Sequence, residues 1–73
     1  MKLNTFSIKK ISYSPLFEIL KQRKISLYRI ALDTDLSFPT LLKLKHNKNV
    51  SLETIKIICS YLNTQIQEVV RFY

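Results

Sequence analysis

Residues 26–44 read SLYRIALDTDLSFPTLLKL, and their spacing predicts two short helices joined by a turn. Ser26 stands where a first helix needs a side-chain oxygen for its unpaired amides, and Leu27, Ile30 and Ala31 follow at helical intervals. Ser37 stands in the same relation to a second helix carrying Leu41 and Leu44. Between them, Asp33 to Leu36 leaves room for a tight turn and no more.

Working outward, Ser14-Pro15 predicts another helix start, with a capping hydroxyl at Ser14 and proline at the first helical position. That helix runs to about Lys24 and turns Leu16, Phe17 and Leu20 inward. Lys21, Arg23 and Lys24 gather at its C-terminal end, where cations suit the helix dipole, and Lys21 and Arg23 are read as a solvated face. Ile25, just before the Ser26 cap, fits a hydrophobic staple.

Downstream, KHNKNV at residues 45–50 is a polar loop, and Ser51 opens a further helix with an apolar stripe of Leu52, Ile55, Ile58, Cys59 and Leu62. Asn63 suits the left-handed residue that ends it. Thr64 and Gln67 fit a capping box for a short fifth helix holding Ile66, Val69 and Val70. Residues 6–13 show partial alternation and favour an extended segment, for which the β-prone tail VVRFY is the natural antiparallel partner, within one chain or across a dimer.

Seventy-three residues allow one domain, as a compact monomer or a dimer. Its expected parts are an N-terminal extended arm over 1–13, a helical core over 14–70 and a tail over 71–73. A hydrophobic content of 47% is that of a chain with a core, and it sets the sequence apart from a disordered basic tail. Twelve Lys and Arg against five Asp and Glu give a net charge of +7, which points to a polyanionic partner, with solubility alone as the competing explanation. The single cysteine, Cys59, excludes an intrachain disulfide and a cysteine-built metal cage, and its place on an apolar stripe reads as a buried small hydrophobe. The N-terminus lacks the apolar run of a signal peptide, and no stretch approaches membrane-spanning length, so a cytoplasmic, nucleoid-associated protein is expected.

In a basic chain, two helices across so short a turn form the arrangement whose second helix enters the major groove of DNA. Residues from about Ser14 to Val70 resemble the Cro/repressor (Xre) type of helix-turn-helix domain found in phage and bacterial regulators. The resemblance rests on Ile30-Ala31, the turn Thr34-Asp35-Leu36-Ser37, Thr40-Leu41 with Leu44, and NVSLETIKIICSYLN, which is similar to the short compact bacterial variety. It implies a mainly α, five-helix lambda-repressor-like fold, with a small antiparallel pairing of the two terminal segments. The family commonly has glycine in the turn, where this chain has Asp35; a positive φ with some strain is therefore expected there.

The resemblance also implies where DNA is touched. Base contacts fall to Phe38, Pro39, Thr40 and Lys43 on the second helix of the pair, with Leu27 or Tyr28 at the mouth of the first. Lys43 suits guanine O6 and N7 or a phosphate, and Phe38 and Pro39 suit thymine methyl groups or, alternatively, helix organisation and packing on the flank. Thr40 fits either a structural or a phosphate role, and Leu42 either DNA or an apolar patch. Phosphates fall to backbone amides at the two helix starts and to Ser37, Tyr28, Lys45, His46, Asn47 and Lys48, then to Arg29, Lys9 and Lys10.

His46 has no second histidine or cysteine with which to share a metal, so neither metal nor cofactor is expected. Glu18, Asp33, Asp35, Glu53 and Glu68 are scattered over different elements with no phosphate loop and no nucleophile-base set, which argues against an enzyme. A transcriptional regulator, most naturally a repressor dimer on a palindromic operator, competes with an antitoxin or other small interaction protein. The shortness of the chain after the last helix favours the regulator. Ile57 and Tyr61, off the main stripe, and the β-prone tail are the expected homodimer surface. No small-molecule ligand and no membrane partner are expected.

Overall fold

The computed structural model describes residues 6–73. In chain order, the elements are strand β1 (Ile11–Ser12), helices α1 (Ser14–Arg23), α2 (Leu27–Asp33), α3 (Phe38–Lys45) and α4 (Leu52–Leu62), a 3-10 turn (Ile66–Glu68) and strand β2 (Arg71–Phe72). The mainly helical fold with its terminal β pairing is the one expected, but the fifth helix is a single 3-10 turn. Its cap is Gln65 and not Thr64: the Gln65 amide donates to the Glu68 carboxylate at 2.7 Å, one residue beyond the expected box.

Three helices begin as their serines dictate. The hydroxyls of Ser26, Ser37 and Ser51 accept the amides of Arg29, Thr40 and Thr54 at 3.0, 3.2 and 3.1 Å. Helix α1 differs, because Ser14 is already its first residue and the cap position is Tyr13, with no side-chain cap bond. The Tyr13 amide is instead accepted by Asn47 Oδ1 at 3.1 Å, 34 residues away.

Helix ends are equally local in origin, although the chain contains no glycine. Lys24, Asn47 and Asn63 take the left-handed conformation at φ 58°, 55° and 56°. After each, the next amide reaches back to a carbonyl one turn earlier: Ile25 to Leu20 at 2.9 Å, Lys48 to Lys43 at 2.9 Å and Thr64 to Cys59 at 2.9 Å. Asparagine tolerates this region and lysine does not favour it. Lys24→Gly should therefore raise stability by about 0.5–1 kcal/mol, read as a melting temperature several degrees higher. An unchanged or lower melting temperature would show that Lys24 carries no strain.

The turn between α2 and α3 is built without a positive φ, so the strain expected at Asp35 is absent. Thr34 takes glycine's place by another route. In an extended conformation, its hydroxyl donates to the Ile30 carbonyl at 2.7 Å and accepts the Leu36 amide at 3.2 Å, closing the turn with side-chain bonds.

The core joins Tyr13, Leu16, Leu20, Ile30, Leu41, Leu44, Ile55, Ile58, Leu62 and Val69. Phe17, Ala31 and Cys59 are only half-buried against it, so Cys59 is not the enclosed residue expected. Leu52 leaves the stripe altogether at 75% exposure, because as the first residue of α4 it precedes the turn that meets the core. Thr54 is buried instead, its hydroxyl 3.0 Å from that of Ser51.

The terminal segments do pair within one chain, later than expected: Ile11 faces Phe72 and Ser12 faces Arg71. Lys10 and Tyr73 exchange both backbone bonds, at 2.7 and 2.9 Å, while residues 6–9 carry no strand.

Candidate nucleic-acid interface

Helix α3 has 3.6 residues per turn, and its buried pair Leu41 and Leu44 fixes which side faces out. Pro39, Leu42, Lys43 and His46 occupy the opposite arc, with Phe38 and Lys45 beside it. Tyr28, one residue into α2, meets Phe38 edge to face, with ring centroids 6.4 Å apart and planes at 71°. The two rings are 62% and 40% exposed, so two expected base-contact residues form one aromatic surface in water. Next to it runs an open groove of about 420 Å³ whose lining includes Leu27, Tyr28, Phe38 and Leu42, with Lys21 and Lys45 among its charged residues. Lys21, read from sequence as simply solvated, thus belongs to this face. It lies on a different helix, and only the folded chain brings it here.

Several expected phosphate ligands already have partners. Ser37 caps α3 and also donates to Thr40 Oγ1 at 2.8 Å, so both hydroxyls hold the helix start. Asn47 supports α1 through Tyr13, and its backbone carries the left-handed turn. Arg29 pairs with Asp33, its Nε 3.0 Å from the carboxylate. Lys43, Lys45, His46 and Lys48 are exposed in sequence on α3 and the turn after it.

The mount beneath this face was not visible in the sequence. Tyr13 is 1% exposed, and its hydroxyl donates to the Lys48 carbonyl at 2.8 Å, fixing the basic loop to the core. Burial pushes that hydroxyl's pKa upward, which keeps it protonated as a donor. Arg23, also read as solvated, donates to the Leu62 carbonyl at 2.6 Å and so satisfies the end of α4. Tyr61 donates to the Asp33 carboxylate at 2.6 Å on the surface, which ties α4 to the end of α2.

The Tyr61 hydrogen bond, then the Arg29 charge, hold the Asp33 carboxyl below the usual carboxylate range, and the same bond raises the pKa of Tyr61. A depressed carboxylate contributes stability above its unfolded pKa of about 3.9 and loses it as pH falls through the folded value. Tyr61→Phe should therefore lower the melting temperature relative to wild type between about pH 5 and 9, and the difference should close as pH falls through the lowered pKa of Asp33. A gap that persists unchanged into acid would show that Asp33 is not the partner that matters.

Among the described residues no three of His, Cys, Asp and Glu converge as metal ligands, and no helix is long and apolar enough to cross a membrane.

A capped helix pair closed by a short turn, with the second helix start exposed beside a cationic loop, defines a helix-turn-helix domain. The model of the Cro/C1-type HTH DNA-binding domain family matches residues 16–73, and the chain belongs to that family. The crystal structure of the transcriptional regulator VanUg superposes with a TM-score of 0.84 at 27% identity, covering all of this chain and 97% of that one. No curated protein sequence matches.

Proposed function

We propose that the chain is a sequence-specific double-stranded DNA-binding transcriptional regulator, a cytoplasmic, nucleoid-associated repressor that acts as a homodimer on a palindromic operator. The observation that carries the reading is the joining of the α2 and α3 starts into one exposed surface, Tyr28 against Phe38, beside a groove bordered by Lys21 and Lys45. Membership of a DNA-binding-domain family and likeness to a solved transcriptional regulator support it.

In this reading α3 lies in the major groove. Phe38, Pro39 and Lys43 face base edges with Tyr28 and Leu27 at their side, while Thr40 and Ser37 present the helix start to the backbone. Lys45, His46 and Lys48 neutralise phosphates, and Asn47 shapes the loop that carries them. Self-association is supported by the apolar surface of Ile66, Phe72 and the partly buried Val70, which adds the tail to Ile57 and Tyr61 as the proposed dimer contact. Two copies would set their α3 helices about 34 Å apart, one turn of duplex.

Affinity measured on a selected site and on its single-base variants tests the assignment. Lys43→Ala should cost about 1–3 kcal/mol and relax preference at one base pair. A uniform loss at every sequence would move Lys43 to a phosphate, and no loss would remove it from the interface.

A further inference from the structure

The outward arc of α3 is poor in groups that can hydrogen-bond a base. Phe38, Pro39 and Leu42 have none; the Thr40 oxygen accepts from Ser37 but keeps its own proton, and beyond it Lys43 and, at the helix end, His46 are the donors on this arc. One hydroxyl, one lysine and a histidine at the helix end distinguish few base pairs. What this face offers instead is shape and apolar area: the Tyr28–Phe38 pair, fixed edge to face, opens onto a groove that continues to Leu42 and Leu27. The aromatic contact orients the rings before any ligand arrives, so little rotamer freedom remains to be lost. Lys21 and Lys45 border the same groove, and the chain carries +7 overall, so its occupant is apolar at the centre and anionic at the margins.

The only apolar group that duplex DNA displays in its major groove is the thymine C5-methyl, and phosphates flank it on both sides. We infer that the Tyr28–Phe38–Leu42 surface is a thymine-methyl reader, clamped by Lys21 and Lys45 on the adjoining phosphates, and that it supplies most of the sequence discrimination. Lys43 then reads one further position. The inference rests on the DNA-binding reading above and names the determinant within it. Phe38 is the specificity residue. Tyr28 positions it, and Leu42 extends the apolar floor.

The test removes the methyl and nothing else. Deoxyuridine is placed singly at each thymine of a duplex selected from a random pool, and affinity is measured for wild type and Phe38→Ala. Wild type should lose about fourfold at one or two thymines in each half-site, the worth of one buried methyl-sized group. Phe38→Ala should bind the thymine and uracil duplexes equally, and Phe38→Leu should restore part of the difference. Because Phe38 is well exposed, its melting curve serves as the check that the fold is retained. Lys21→Ala should weaken all sequences alike and reduce the salt slope by about one. Thymine and uracil bound equally by wild type, with sequence preference intact, would overturn the methyl reader while leaving the regulator standing. Failure to bind any duplex would overturn both.

Discussion

Tyr13→Ala is expected to destabilise the domain by about 3–5 kcal/mol, the cost of emptying an aromatic site that the surroundings cannot refill. A chain of this length has about 4–11 kcal/mol in total, so the variant should be largely unfolded at 37 °C. The magnitude follows from position: Tyr13 is 1% exposed, packed in the main core, and joined by its hydroxyl to the Lys48 carbonyl and by its amide to Asn47. Tyr13→Phe separates the two contributions. It keeps the ring and leaves the Lys48 carbonyl without its donor, at a cost of about 1–3 kcal/mol. Urea unfolding followed by circular dichroism measures both. If Tyr13→Ala melts within a few degrees of wild type, Tyr13 is not the anchor of the basic loop.

The second large effect is on binding. If about five phosphates are neutralised by Lys21, Lys43, Lys45, Lys48 and their neighbours, log K falls with log salt at a slope near −4 to −5. Raising monovalent salt from about 50 to about 200 mM should then weaken binding about 300- to 1000-fold. Lys45→Ala and Lys48→Ala should each flatten the slope by about one, whereas Phe38→Ala should lower affinity with the slope intact. Fluorescence anisotropy across a salt series reads all three. A slope near −1 would mean that the basic loop stays off the backbone, leaving the charge without a role in binding.

The two effects share a structural origin. Of the lysines expected to answer to salt, Lys43, Lys45 and Lys48 sit on the last turn of α3 and the loop after it, and that loop is held in place by a tyrosine 35 residues away in sequence. Softening Tyr13 should therefore loosen the loop that carries the proposed phosphate contacts as well as the core.

What could be read from sequence was what is decided within one turn of chain. Ser26, Ser37 and Ser51 announce their helices because each cap bond reaches only three residues ahead. Asn63 announces an end for the same reason. The missed residues act across the fold: Tyr13 and Lys48 are 35 apart, Arg23 and Leu62 are 39 apart, and Tyr61 and Asp33 are 28 apart. A lone tyrosine or arginine carries no sign of its distant partner, so neither the Arg23 bond to Leu62 nor the Tyr61 bond to Asp33 is announced by the sequence. Thr34 did leave a trace, since a threonine directly after a helix and before Asp is a side-chain turn signal. The family's usual glycine points to a positive φ at Asp35, and the Thr34 side-chain bonds make one unnecessary. Tyr28 and Phe38, both named from the sequence, lie against each other on one exposed surface. The arrangement around them was not legible, because Lys21 reaches the groove only once α1 is packed.

The central claim is that this domain recognises a particular duplex sequence, and selection from a random pool tests it most directly. Repeated capture of bound duplexes should enrich one site, palindromic, with half-sites about 10 base pairs apart and thymines at fixed positions in each. A pool that remains random after several rounds, with affinity the same for any duplex of equal length, would contradict the account.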